Sequence, residues 1–169
     1  MRFSASIILS GLLASGAVAA PVATQKRAAV LSKQSYSQFQ VSSTAAGNAQ
    51  AEVMKAFPID MNDLANVDPA DQKVISDARQ VAESAEVDTG GFNEQIKADS
   101  SNDALAVGKT KNKVLKLQLE VMDLMISQAQ GKDEADKITA EQKKLDTNIA
   151  ADKKNAGKTS ADVTKTFTG

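Results

Sequence analysis

The stretch VLKLQLEVMDLMI, from Val114 to Ile126, is the most apolar part of the chain beyond its N-terminal segment. Its alternating leucines and valines are compatible with a strand, but Glu, Gln, Lys, Met and Leu favour a helix. The apolar positions form a stripe too wide for a helix lying at a surface. We therefore predict a central helix from about Asn102 to Gln130, terminated by Gly131.

Amphipathic patterns lie on both sides of this stretch. One helix is predicted over Ser35–Phe57, before a proline that ends it. A second begins after Asp68, a capping residue, with Pro69 in the first helical position. The fourth begins near Asp133. We expect an all-α fold, an antiparallel bundle of about four main helices joined by short Pro/Gly turns.

The first 20 residues follow the pattern of a secretory signal peptide. Arg2 supplies the positive charge, Ile7–Val18 is apolar, and small residues precede the cleavage position at Ala19 and Ala20. Serines interrupt the apolar run, which is shorter than the roughly 20 residues of a membrane span. The C-terminal residues are polar. We predict secretion, with no membrane anchor.

A second cleavage site is predicted at Lys26 and Arg27. This dibasic step resembles the sites of kexin-type processing proteases in the fungal secretory pathway, although two adjacent cations also occur by chance. Residues 21–27 would form a short pro-segment, and residues 28–169 a single helical-bundle domain. That domain has 17 positive and 21 negative side chains, a net charge of −4, which suits a soluble extracellular protein.

Composition excludes several kinds of chemistry. The 169 residues include no His, Cys or Trp, so a Ser-His-Asp triad, a Cys-His pair, an ordinary zinc site and a disulfide are all ruled out. The 20 basic and 21 acidic residues balance, and aromatic residues are scarce, which argues against a nucleic-acid partner. We predict no catalytic residue, no cofactor and no metal site.

Two acidic motifs could in principle supply catalytic or metal-binding carboxylates. The Asp-Thr-Gly sequence at Asp88–Gly90 matches the catalytic tripeptide of aspartic proteases. Those enzymes need two such aspartates, and this sequence contains one copy at a predicted helix end. We therefore interpret it as a sequence that terminates the helix. Asp60, Asn62, Asp63 and Asp68 form an acidic loop. It lacks the ligand spacing and glycine of a calcium-binding loop, so turn and capping roles explain it better.

Two features are candidates for binding a partner. Lys109, Lys113 and Lys116 share one face of the central helix and would suit an anionic or acidic partner, although a solvated helix end is the better explanation of such a run. Phe92 follows two glycines in a predicted loop, where its ring could anchor a partner or belong to the core.

Four long segments carry a family resemblance: Tyr36–Val53, Phe57–Val67, Ala78–Asn93 and Gly108–Val121, the last followed by AQGKDEA. Together they resemble a family of cysteine-free small secreted proteins from filamentous fungi. Members are hypothetical or effector-candidate proteins. The resemblance implies a fungal source, secretion and a helical fold, and it supplies no catalytic residue to carry over.

We expect a monomeric, non-enzymatic interaction protein that is secreted to the extracellular space. As a fungal effector it would act in virulence on an extracellular host protein, for example a protease or an immune receptor. One alternative is a structural protein associated with the fungal wall. Another is a carrier of a small apolar ligand in the bundle core, where Met54, Met61, Met122 and Met125 would line a plastic cavity.

Overall fold

The computed structural model describes residues 26–168, and within that range the chain is helical and contains no strand. The all-α helical bundle predicted from the sequence is confirmed. Its α-helices are α1 (Tyr36–Phe39), α2 (Ala49–Ala56), α3 (Pro69–Val87), α4 (Phe92–Ala98), α5 (Asp103–Ala129) and α6 (Ala135–Lys154), with a short 3-10 helix at Leu64–Asn66.

Helix α5 is the centre of the bundle, as its apolar width predicts. Thirteen of its 27 residues are buried, whereas α6 buries only Leu145 and Asp152 among 20. Helices α3 and α6 are the main neighbours of α5. The Asn102 side chain caps α5 by accepting a hydrogen bond from the Leu105 backbone N–H at 3.3 Å, and α5 ends just before the predicted terminator, Gly131.

Helix α3 begins where its capping signal lies. The Asp68 carboxylate accepts a hydrogen bond from the Ala70 backbone N–H at 2.7 Å, and Pro69 is the first helical residue. The helix ends at Val87, just before Asp88. This start follows from local chemistry, because a capping side chain satisfies backbone N–H groups that have no partner within the helix.

The prediction of one continuous helix over Ser35–Phe57 is wrong, because the middle of this stretch is not helical. Helix α1 ends at Phe39 and α2 begins only at Ala49, with a non-helical segment between them. The buried Asp152 side chain of α6 accepts hydrogen bonds from the backbone N–H groups of Gly47 and Ala49, both at 2.9 Å. A partner more than 100 residues away thus caps α2, which local sequence patterns do not reveal.

An aromatic cluster forms part of the core. The ring of Tyr36 packs edge-on against Phe39 and against Phe167, with centroids 5.7 Å and 5.4 Å away, and Phe39 packs against Phe57 at 5.8 Å. The Tyr36 hydroxyl donates to the buried Asn112 side chain at 2.8 Å. Burial raises the pKa of the Tyr36 phenol, so it remains a neutral donor.

The C-terminal segment returns across the bundle and contacts both α5 and the turn before α4. The backbone N–H of Ala161 donates to the Ala104 carbonyl at 2.9 Å, and the Thr166 hydroxyl donates to the Gly90 carbonyl at 2.7 Å. The approach is close enough to require glycine in α5: a Cβ on Gly108 would lie 1.9 Å from the Ala161 carbonyl oxygen. Val163 lies in this segment and is buried although it is not helical.

Candidate functional site

The three lysines predicted as a binding face converge on one carboxylate of α3. The ammonium groups of Lys109, Lys113 and Lys116 lie 3.8, 3.5 and 3.0 Å from the Glu86 carboxylate, whose side chain is only 9% exposed. Lys116 also lies 2.8 Å from the Glu83 carboxylate. We call these five residues the Glu86 cluster. Two carboxylates, Glu83 and Glu86, offset part of the charge of the three lysines, so the face offers less cationic potential than the sequence suggests.

The pKa values in the Glu86 cluster follow from this pairing. Burial alone would raise the pKa of Glu86, but the hydrogen bond from Lys116 and the three nearby lysine charges outweigh burial and lower it. Burial would lower the pKa of Lys116, but hydrogen bonds to Glu83 and Glu86 outweigh it and raise it. Each group therefore holds its partner in the charged form.

A fourth lysine of the same run has a different role. The side chain of Lys111 is fully buried, and its ammonium group donates to the backbone carbonyls of Thr44 and Ala45, both at 3.0 Å, and pairs with Glu52 at 2.9 Å. It thereby fixes the non-helical segment between α1 and α2 against α5. Spacing within the lysine run gives no sign of this role, because the partners lie about 60 residues earlier in the chain.

Phe92 is a core residue in this structure. It is the first residue of α4, its exposed fraction is 0%, and its ring lies beside Gly108 of α5. The interpretation of Phe92 as a core side chain is therefore the one that fits. An anchor for a partner must present its ring to solvent, and the Phe92 ring is not presented.

Two openings of the described surface have mainly apolar walls and share Phe39 as a wall. The first has a volume of about 40 Å³ and lies between the segment before α1 and helix α3. The second, about 290 Å³, lies between α2 and the segment that follows α1. We call the two openings together the Phe39 groove. Its walls include Lys33, Phe39, Phe57, Val74 and Val81 in the first opening, and Val41, Lys55 and Ala56 in the second.

The rim of the Phe39 groove carries available positive charge. Lys33 and Lys55 are exposed, and neither takes part in an ion pair between residues 26–168. The two carboxylates of the groove are engaged: Glu52 lies 2.9 Å from a buried lysine, and Asp77 lies 2.8 Å from a lysine one turn away on α3. An apolar side chain next to acidic groups would complement this surface.

The acidic loop and the aspartic tripeptide have structural roles. Asp60 and Asp63 lie 3.4 and 3.5 Å from the Arg27 guanidinium, and Asp68 is the cap of α3. Asp88–Gly90 lies at the C-terminal end of α3. Among residues 26–168, no group of three or more His, Cys, Asp or Glu side chains is placed to hold a metal ion.

The predicted processing residues fall in two places. The signal peptide, with Ala19 and Ala20, lies outside the described residues. Lys26 and Arg27 lie against the bundle, where the Lys26 ammonium donates to the Gln130 side chain at 3.1 Å. In the described part of the chain, no helix combines the length and apolarity needed to span a bilayer.

Comparison with known proteins places the chain in one family. A family model described as a domain of unknown function, DUF8454, matches residues 31–164, which is most of the 169-residue chain, and the chain belongs to this family. The match begins in the segment before α1 and includes all six α-helices. No curated protein and no solved structure shows significant similarity to the chain.

Proposed function

We propose that this protein is a secreted, non-enzymatic interaction protein that binds an extracellular protein through the Phe39 groove. Its N-terminal sequence supports secretion, and its resemblance to small secreted fungal proteins supports an effector-type role on a host target. The partner would present an apolar side chain flanked by acidic residues.

One observation carries the choice of this groove. It combines two openings lined by buried and partly exposed apolar side chains with two lysines, Lys33 and Lys55, that have no ion-pair partner in the described chain. Binding energy at protein interfaces is concentrated where a side chain fills a pocket, and nearby charges select the partner. In the Glu86 cluster, by contrast, a partner would have to compete with carboxylates already in place.

The proposal can be tested by capture from extracellular fluid. The full chain with a C-terminal tag is expressed in a secreting host, and the product is purified from the medium. It is then incubated with host extracellular fluid and, in parallel, with fungal wall material, and bound proteins are identified by mass spectrometry. The test variant is Lys33→Glu with Lys55→Glu, and the matched control is Lys97→Glu with Lys143→Glu, which reverses two exposed lysines elsewhere.

We expect the wild type and the control to capture a host protein that the test variant does not capture. Equal capture by both variants would contradict the groove assignment, and absence of the protein from the medium would contradict secretion. Retention on wall material alone would favour the wall-associated alternative. Saturable binding of a small apolar probe, with no captured protein, would favour the carrier alternative.

A further inference from the structure

The segment around the predicted dibasic site is attached to the folded bundle. The Arg27 backbone N–H donates to the Asn66 carbonyl at 2.9 Å. The Arg27 guanidinium lies 3.4 Å from the Asp60 carboxylate and 3.5 Å from the Asp63 carboxylate. The residue before the peptide bond to Ala28 is thus held by its main chain and by its side chain.

The chain is also held on the other side of this peptide bond. The carboxylate of Asp71, which is 3% exposed, accepts hydrogen bonds from the backbone N–H groups of Val30 at 2.9 Å and Leu31 at 2.7 Å. A carboxylate that accepts two backbone N–H groups forms strong, charge-assisted hydrogen bonds. The Arg27–Ala28 bond therefore lies between two fixed points only a few residues apart.

We propose that the Arg27–Ala28 peptide bond is a proteolytic processing site whose cleavage is gated by folding. The hydrolysis breaks the C–N bond and adds one water molecule, which leaves a carboxylate on Arg27 and a protonated amino group on Ala28. A protease that reads two adjacent cations must place Arg27 in its own acidic pocket. In the folded protein that side chain is already bound by Asp60 and Asp63.

Cleavage of the folded protein requires the segment around Arg27 to detach locally from the bundle. A protease cuts the opened form, so the cleavage rate follows the population of that form when opening and closing are fast. Opening requires loss of both guanidinium contacts and of the hydrogen bond to Asn66. Processing is therefore fast before the bundle folds and slow afterwards. After the cut, Asp71 still holds Val30 and Leu31, so the new N-terminal segment stays attached.

The experiment measures cleavage of the folded protein by a purified serine protease specific for dibasic sites. The full chain is expressed in a secreting host that lacks such a protease, and cleavage products are followed by intact mass. A synthetic peptide of residues 21–34 gives the cleavage rate of the same segment when no folded bundle holds it. The variant Asp60→Asn with Asp63→Asn weakens the contacts to Arg27, while each new amide keeps an oxygen for the local hydrogen bonds. Asp133→Asn with Asp136→Asn, both exposed, is the control with the same charge change.

We expect the peptide to be cut at least about tenfold faster than the folded wild type, because two ion pairs and a backbone hydrogen bond oppose opening. The Asp60/Asp63 variant should be cut faster than the wild type, and the control should match the wild type. The proposal is overturned if the wild type is cut as fast as the peptide, or if the cut falls elsewhere than between residues 27 and 28. Melting temperatures check that the variants are folded. If a variant does not fold, the cleavage rates of the peptide and of the wild type still test whether folding slows cleavage. The assay uses no binding partner, so its failure would leave the Phe39 groove proposal intact.

Discussion

The Glu86 cluster and the Phe39 groove are two lysine-bearing regions of one bundle, and they differ in what surrounds the lysines. In the cluster, three lysines of α5 converge on a carboxylate that is 9% exposed. In the groove, Lys33 and Lys55 stand beside apolar walls and have no ion-pair partner in the described chain. A run of charge along a sequence therefore does not tell whether that charge is available, because a neighbouring helix can neutralise it.

The largest effect is expected for Phe92, a fully buried residue of α4 that lies outside both regions. Phe92→Ala removes a fully buried ring packed beside Gly108. We expect the free energy of unfolding to fall by about 3–5 kcal/mol, the usual cost of truncating a buried Phe. Urea unfolding followed by circular dichroism measures it. A change below about 1 kcal/mol would mean that the ring is not in the core, and would restore it as a candidate anchor.

A smaller loss of stability is expected within the cluster itself. Glu86→Gln removes the charge on which three lysines converge, and we expect a loss of about 2 kcal/mol because those lysines then repel one another. Glu83→Gln is the matched control, since Glu83 is more exposed and pairs with one lysine. Its loss should stay below about 1 kcal/mol. If urea unfolding shows equal losses of unfolding free energy for the two variants, Glu86 contributes no more to stability than the more exposed Glu83, which contradicts the prediction.

The cluster should also make stability depend on pH. The folded-state pKa of Glu86 lies below its ordinary value of 4.5, so the unfolded state binds more protons between the two values. The contribution of Glu86 is complete above pH 4.5 and is lost as the pH falls through the folded-state pKa. We expect the acid-side decline in melting temperature to be shallower in Glu86→Gln than in the wild type. Identical declines would show that Glu86 is not held charged by the lysines.

The smallest effect on stability is expected in the groove. Reversal of Lys33 and Lys55 to Glu removes no ion pair formed within residues 26–168, so the free energy of unfolding should change by less than about 0.5 kcal/mol. Thermal unfolding checks this directly. A larger loss would mean that these lysines stabilise the fold, and the groove would then resemble the cluster instead of contrasting with it.

The sequence predicts the parts of the fold that depend on local chemistry. The start of α3 at Pro69 and the extent of α5 follow from capping residues and from apolar periodicity within each helix. The break between α1 and α2 depends on Asp152, and the burial of Lys111 depends on carbonyls near Thr44. Contacts of that kind join distant parts of the chain, so no local pattern contains them.

The same limit explains why the binding candidates changed. The lysines at 109, 113 and 116 are visible as a run, but their pairing with Glu86 requires the packing of α3 against α5. Phe39 lies within the first helix predicted from the sequence, Ser35–Phe57. Its position as a wall of two openings arises because the chain turns away after α1. The groove is therefore a property of the assembled fold.

The most direct test of the contrast is the affinity of the captured partner for three forms of the protein. These are the wild type, Lys33→Glu with Lys55→Glu, and Lys109→Gln with Lys113→Gln, each measured by titration calorimetry at one salt concentration. We predict at least about a tenfold weaker affinity for the groove variant, and an affinity close to wild type for the cluster variant. Weakened binding by the cluster variant alone, with the groove variant unchanged, would contradict the account and return the binding face to the lysines of α5.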